Sequence, residues 1–223
     1  MKRTIRALAM VVVIGFMLIV PAGYAAEQFS GFLGDYYKKL APGPKGGAKL
    51  RWVKPGIDLS KYKGVIVESV VFYFADNSED KGIDAVEMKE LADAFNQEIV
   101  NALKGKHNIV SEPAADIVRL KIAITGVKKS KPGLSAVSSI MPVGMGISII
   151  KKGVTGSYSG SGGTTAEFMA LDSMTGDVIV AAVDERTAGY TERFTTLGAA
   201  RKAFKVWAEG IGKFMDDARA AKE

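Results

Sequence analysis

Residues 164–187 read TTAEFMALDSMTGDVIVAAVDERT. Two runs rich in β-branched and apolar residues, Thr164 to Leu171 and Val178 to Thr187, flank Asp172-Ser173-Met174-Thr175-Gly176-Asp177, whose residue types tolerate tight backbone angles. The spacing predicts a β-hairpin. C-terminal to it, Leu197 to Met215 places Leu197, Ala200, Phe204, Trp207, Ile211 and Phe214 on one face of a helix. Gly210 and Gly212 lie inside that helix, where each costs about 1 kcal/mol relative to alanine, so packing against the sheet must supply the difference. N-terminal to the hairpin, Ile117 to Val127 alternates, with Val118, Leu120, Ile122 and Ile124 on one parity and Arg119 and Lys121 on the other, as a half-covered strand does. Asp84 to Leu103 predicts a second helix, because Met88, Leu91, Phe95, Ile99 and Leu103 recur at three- and four-residue steps. Asp84 with Glu87 supplies its N-terminal cap and Gly105 its stop. Val65 to Ala75 is β-branched and aromatic almost throughout, the composition of a central strand covered on both faces. Strand, helix, further strands and a last helix make an α+β fold: a mixed or antiparallel sheet of four to five strands with two main helices packed on one face.

The ends divide the chain into three parts. Lys2, Arg3 and Arg6 precede an uncharged apolar run from Ala7 to Val20, and Pro21, Ala22 and Gly23 follow it. This is the layout of a secretory signal peptide, shorter in its apolar part than the roughly 20 residues that span a bilayer. Cleavage is expected near Ala25; the alternative is an uncleaved anchor. Residues 26–62 form an extended N-terminal arm, irregular and rich in proline and glycine, yet carrying Phe32, Leu33, Tyr36, Tyr37, Leu40 and Trp52. A solvated linker is poor in such groups, so the arm is expected to pack on the α+β domain of residues 63–223.

Composition narrows the function classes. The chain has no cysteine, which removes disulfides, thiol nucleophiles, cysteine metal sites and lipid attachment at an N-terminal cysteine. An unlipidated periplasmic protein is the expectation. The formal charge of +6 falls to +3 once the three cations of the signal are gone, with lysine and glutamate interspersed. Nucleic acid calls for a clustered basic face, so none is expected as a partner.

Several stretches invite a functional reading. Leu134 to Ile150 is apolar and uncharged, is broken by Pro142, Gly144 and Gly146, and is bracketed by lysines. Leu134, Val137, Ile140, Met141, Pro142, Val143, Met145, Ile147, Ile149 and Ile150 are the candidates for contact with a partner or a membrane surface; the alternative is a buried loop or helix. Gly156 to Gly163 is glycine-rich, but Thr164 opens a strand where a phosphate loop needs a helix, so it reads as a connector. Asp76 to Glu87 has oxygen-bearing residues at five positions of a calcium-binding loop, with Lys81 at the sixth place, where the sharp turn requires glycine. A polar turn leading into the helix cap explains the same residues. His107 is the only histidine and is expected in an exposed loop. Asp184 and Glu185 are neighbours on a strand and so point to opposite faces. No catalytic, metal-binding or cofactor-binding residue emerges, and no cofactor is expected.

Phe32-Leu33-Gly34-Asp35-Tyr36, Pro42-Gly43-Pro44, and Trp52-Val53-Lys54-Pro55-Gly56-Ile57-Asp58-Leu59-Ser60-Lys61-Tyr62 resemble the start of DUF3313, an uncharacterised family of exported bacterial lipoproteins. The resemblance continues through Lys131-Pro132-Gly133-Leu134, Pro142-Val143-Gly144 and Leu171-Asp172-Ser173-Met174-Thr175-Gly176. It implies a Gram-negative envelope location and no enzymatic activity, and it supplies no site residues. Many relatives carry a cysteine at the cleavage site that this chain lacks. The order of strand, helix and hairpin also looks like the periplasmic domain of the curli-secretion lipoproteins, a likeness of fold that says little about function. The expected function is a non-enzymatic periplasmic interaction or assembly module that binds another envelope protein or a membrane surface, with homo-oligomers allowed. The alternatives are a membrane-associated oligomer or pore component that uses Leu134 to Ile150, and an unrecognised hydrolase built on carboxylates.

Overall fold

The computed structural model of the chain describes residues 29–73, 84–128, 163–187 and 198–220. Eight strands form one mixed sheet: β1 (Ala41–Pro42), β2 (Leu50–Val53), β3 (Gly64–Val67), β4 (Val71–Phe72), β5 (Asn108–Ile109), β6 (Ile117–Lys128), β7 (Gly163–Asp172) and β8 (Val178–Thr187). Their order is β1-β2-β8-β7-β6-β3-β5, with β4 also on β6. The predicted hairpin is β7 and β8, with Phe168 opposite Ala182 and Glu167 opposite Val183. Its turn is held by Asp172, whose Oδ1 accepts the amides of Met174 and Thr175 at 3.0 and 3.1 Å, and by Gly176 at φ +74°, a conformation glycine adopts without steric cost.

The α+β class and the mixed sheet stand, but the sheet has eight strands where four to five were expected. Three of the additional pieces, β1, β4 and β5, are two residues long, too short to leave an alternating pattern. A fourth, β2, lies among the prolines and glycines of the N-terminal segment and pairs antiparallel with β8. The apolar run from Val65 is not one central strand. It breaks between Val67 and Val71 into β3 and β4, which both run parallel to β6, and the centre of the sheet belongs to β6, β7 and β8.

Helix α1 (Ala85–Leu103) starts at Asp84, whose side chain accepts the amides of Val86 and Glu87 at 2.9 and 2.8 Å. It buries Leu91, Phe95, Ile99 and Leu103. Helix α2 (Gly198–Ala220) runs five residues past the predicted end. Its last turn is tied down by Arg219, which donates to the carbonyls of Lys106 and Lys63 at 3.2 and 2.7 Å. Both helices pack on the same face of the sheet. Phe95 stacks on Phe204 with ring centroids 4.6 Å apart, and Phe168 of β7 meets Trp207 edge-on at 5.7 Å. Each such buried side chain stabilises the fold by about 1.5–3 kcal/mol.

The opposite face of the sheet is closed by residues 29–40. Leu33, only 2% exposed, packs with Ala181 and Val183, and Phe29, Phe32, Tyr36, Tyr37 and Leu40 surround it. Alternation places these two cores on opposite sides of β8: Val180, Ala182 and Asp184 turn toward the helices, Ala181 and Val183 toward the N-terminal segment.

Candidate functional site

The helix face is not filled everywhere. Between α2 and strands β2, β8, β7, β6 and β3 lies a half-enclosed cleft of about 460 Å³. Its inner wall is apolar, with Val118, Leu120, Phe168 and Ile179 from the sheet and Trp207 from α2. Its rim is polar and is formed by the loop of residues 44–48, by Arg51 and Arg186, and by Lys213 and Asp217 on the last turns of α2. Gly210 lines the cleft between Trp207 and Phe214, and a Cβ added to it would meet nothing within 4 Å.

Asp184 organises the edge of this cleft and is almost fully buried. Its Oδ2 accepts from Trp207 Nε1 at 2.7 Å and Arg186 Nε at 2.6 Å, and its Oδ1 accepts the Lys49 amide at 2.8 Å. One carboxylate thus joins α2, β8 and the loop leading into β2. The loop is also held by Arg186 Nη2, which donates to the Gly47 carbonyl at 3.3 Å. Arg51 pairs with Ala182 on the ladder, which turns it to the same face. Its guanidinium carbon lies 5.5 Å from the centroid of the Phe214 ring, within cation–π range. Lys213 is bonded to Asp217 at 2.8 Å.

Two other carboxylates are buried and fully engaged. Glu167, on the face of β7 away from the helices, accepts the Ser30 amide at 3.3 Å, the Ser30 hydroxyl at 3.0 Å and the Tyr37 hydroxyl at 2.6 Å. Burial, and then the hydrogen bond to Glu167, raise the Tyr37 phenol above its usual range. Asp172 accepts the Tyr62 hydroxyl at 2.8 Å and Lys61 Nζ at 3.2 Å in addition to the turn amides. Burial alone would raise it, but the bonds from Tyr62, Thr175, Lys61 and Met174 outweigh that and hold the carboxyl well below the usual range.

The residues singled out in the sequence fare differently. Leu134, Val137, Ile140, Met141, Pro142, Val143, Met145, Ile147, Ile149 and Ile150 lie outside the described residues, as does most of Asp76 to Glu87. The described end of that stretch serves as the α1 cap. Of the glycine-rich stretch only Gly163 is described, as the first residue of β7. Asp184 and Glu185 do part, the first buried and the second exposed. His107, expected in an exposed loop, is 6% exposed. Its Nε2 lies 3.1 Å from Asp216 Oδ1 without the alignment of a hydrogen bond. Burial, then the nearby charge of Arg219, lower its pKa, with Asp216 opposing them. Among the described residues no cluster of three histidine or acidic side chains could hold a metal ion, and no helix is long and apolar enough to cross a membrane. Sequence reasoning missed the cleft and Glu167. The helical glycine at position 210 was the one visible sign of the first, and a lone acid in an otherwise apolar strand the sign of the second.

Known proteins resemble this chain at several levels. Two curated relatives, the uncharacterised lipoprotein YdcL of Escherichia coli K12 and of Escherichia coli O157:H7, are each 28% identical over 109 residues, covering 48% of this chain and 49% of their own. The chain thus spans about half the length of the curated relatives it matches. Among solved structures, the PelC dodecamer of Paraburkholderia phytofirmans is 14% identical over 72% of this chain and 96% of its own, with a TM-score of 0.40. Protein CT253 of Chlamydia trachomatis is 10% identical over 71% of this chain and 99% of its own, with a TM-score of 0.35. The family described as protein of unknown function DUF3313 matches residues 28–211, from the N-terminal segment into α2. Over that span the chain belongs to DUF3313.

Proposed function

We propose that this chain is an exported, non-enzymatic module of the bacterial envelope that works by binding, with the cleft beneath α2 as the site that receives an apolar molecule. The observation that carries this reading is the cleft itself. At about 460 Å³, with apolar walls and a few convergent polar groups at the rim, it has the size and chemistry of a small-molecule site, for which volumes of roughly 300–1,000 Å³ are usual. Asp172, Asp184 and Glu167 are each engaged by donors of the fold, which gives all three a part in holding the domain together. Export is supported by the basic, apolar and small-residue layout of residues 1–25 and by the similarity to curated lipoproteins.

Titration of the full-length protein with the neutral apolar dye N-phenylnaphthylamine tests the reading. Saturable fluorescence enhancement at one dye per chain is expected, together with its loss in Gly210→Leu, whose side chain would occupy the cleft. Non-saturable binding, or saturable binding unchanged in Gly210→Leu, would overturn it. N-terminal sequencing of the protein recovered from cells should begin near residue 26; an intact Met1 on protein recovered from the cytoplasm would remove the export part.

A further inference from the structure

The molecule that enters the cleft can be named more closely from its two zones. The inner wall offers only apolar side chains, and it is met by Phe214 and Trp207 along one stripe of α2. At the rim the cations divide into two kinds. Arg186 is bonded to Asp184 and Lys213 to Asp217. Arg51 and Lys45 have no anionic partner among the described residues. Arg51 lies against the Phe214 ring and keeps N–H groups available for a planar anion, which a guanidinium can bind through two parallel hydrogen bonds. Lys45 stands on the exposed loop opposite α2.

Gly210 adds an independent observation. A glycine inside a helix costs about 1 kcal/mol relative to alanine. Close approach explains many such glycines, but here the space beyond the missing side chain is open to 4 Å. The packing of α2 therefore does not require glycine at this position. Its smallness keeps the cleft clear between Trp207 and Phe214.

We infer that the cleft binds a free long-chain fatty acid, the acyl chain lying along the apolar wall past Gly210 and the carboxylate held by Arg51 and Lys45. This rests on the binding function proposed above and names its ligand class. The volume lies toward the lower end of the range for small-molecule sites, which suits one acyl chain rather than the two of a membrane phospholipid. Two unpaired cations beside an apolar wall match a ligand whose single charge is at one end.

Displacement of N-phenylnaphthylamine from the full-length protein by palmitate and by hexadecanol, both below their aggregation concentrations, separates chain from charge. Palmitate is expected to displace the dye at about ten-fold lower concentration than hexadecanol, the scale of a charge-assisted hydrogen bond. Replacing both cations, Lys45→Gln with Arg51→Gln, should bring the two competitors together, compared as inhibition constants corrected for the variant's own dye affinity. Equal potency in the parent protein would overturn the inference, as would a palmitate preference that survives in the double variant. Displacement by phosphatidylglycerol vesicles but not by palmitate would also overturn it, making the occupant a membrane lipid. In each of these outcomes the dye still binds and the binding function stands; absence of saturable dye binding removes both.

Discussion

The two faces of the central sheet are closed by different means. On one, residues 29–40 lie flat on β7 and β8, and the buried Glu167 ties them down through Ser30 and Tyr37. Phe29 stacks on Tyr37 at 4.3 Å and Leu33 fills the space over Ala181 and Val183. On the other face α1 and α2 bury a larger hydrophobic cluster, including Phe95, Phe204 and Trp207, and yet leave a cleft. A buried carboxylate ties down the cover on each face, Glu167 on one and Asp184 on the other, and the face with the larger hydrophobic core is the one that holds the cleft. A thin cover of short segments buries little apolar area, so a satisfied buried carboxylate adds specificity of docking. Two long helices stabilise the domain well enough to tolerate an unfilled space.

The contrast can be broken from either side. The largest effect is expected at the helix face: Phe204→Ala should cost about 3–5 kcal/mol, read as a lower urea midpoint for the whole domain, because it removes the stack on Phe95 from a fully buried site. Glu167→Ala should cost about 1–3 kcal/mol by leaving the Ser30 and Tyr37 hydroxyls without their acceptor. Its signature is regional. Hydrogen exchange at residues 29–40 should accelerate far more than in α1, and uniform acceleration would mean that the segment and the domain open as one. Gly210→Ala should instead raise stability by about 1 kcal/mol, since the new methyl group meets nothing and the helix gains propensity. A loss of stability there would show that the space beside α2 is filled.

The smallest effect concerns pH. His107 has its folded pKa lowered by burial, so the unfolded chain takes up its proton first as the solution is acidified. The stability linked to His107 is therefore fully present above the unfolded value of about 6.5 and declines as pH falls below it toward the folded value. Melting temperature should drop between pH 7.5 and pH 5.5, and His107→Gln should flatten that part of the profile. A profile equally steep in the variant would assign the acid sensitivity elsewhere.

Much of the fold was legible because it is written in periodicity. The hairpin of β7 and β8, strand β6 and both helices show clean two-residue or three-to-four-residue repeats, and Asp84 caps α1 where its position predicted. The misread parts share a cause. β1, β4 and β5 are two residues long and β3 four, too short for a repeat to show, and the polar pair Glu68-Ser69 that ends β3 is easily passed over between the apolar residues on either side. The site was less legible still. His107 is buried with Asp216 and Arg219, from the far end of α2, as its charged neighbours, and the cleft depends on the spacing between helix and sheet, which no local pattern encodes. Gly210 advertised a cost in the sequence without saying what the cost was for.

The central claim is that ligand binds on the helix face and not beneath the N-terminal segment, and the two tryptophans report on one face each. Trp207 lines the cleft, whereas Trp52 packs with Tyr36 on the opposite side of the sheet. Quenching by a brominated fatty acid, measured in the full-length protein and in Trp52→Phe and Trp207→Phe variants, tests it directly. Saturable quenching should persist when Trp207 is the remaining indole and disappear when only Trp52 is left; saturable quenching of Trp52 with Trp207 unaffected would contradict the account.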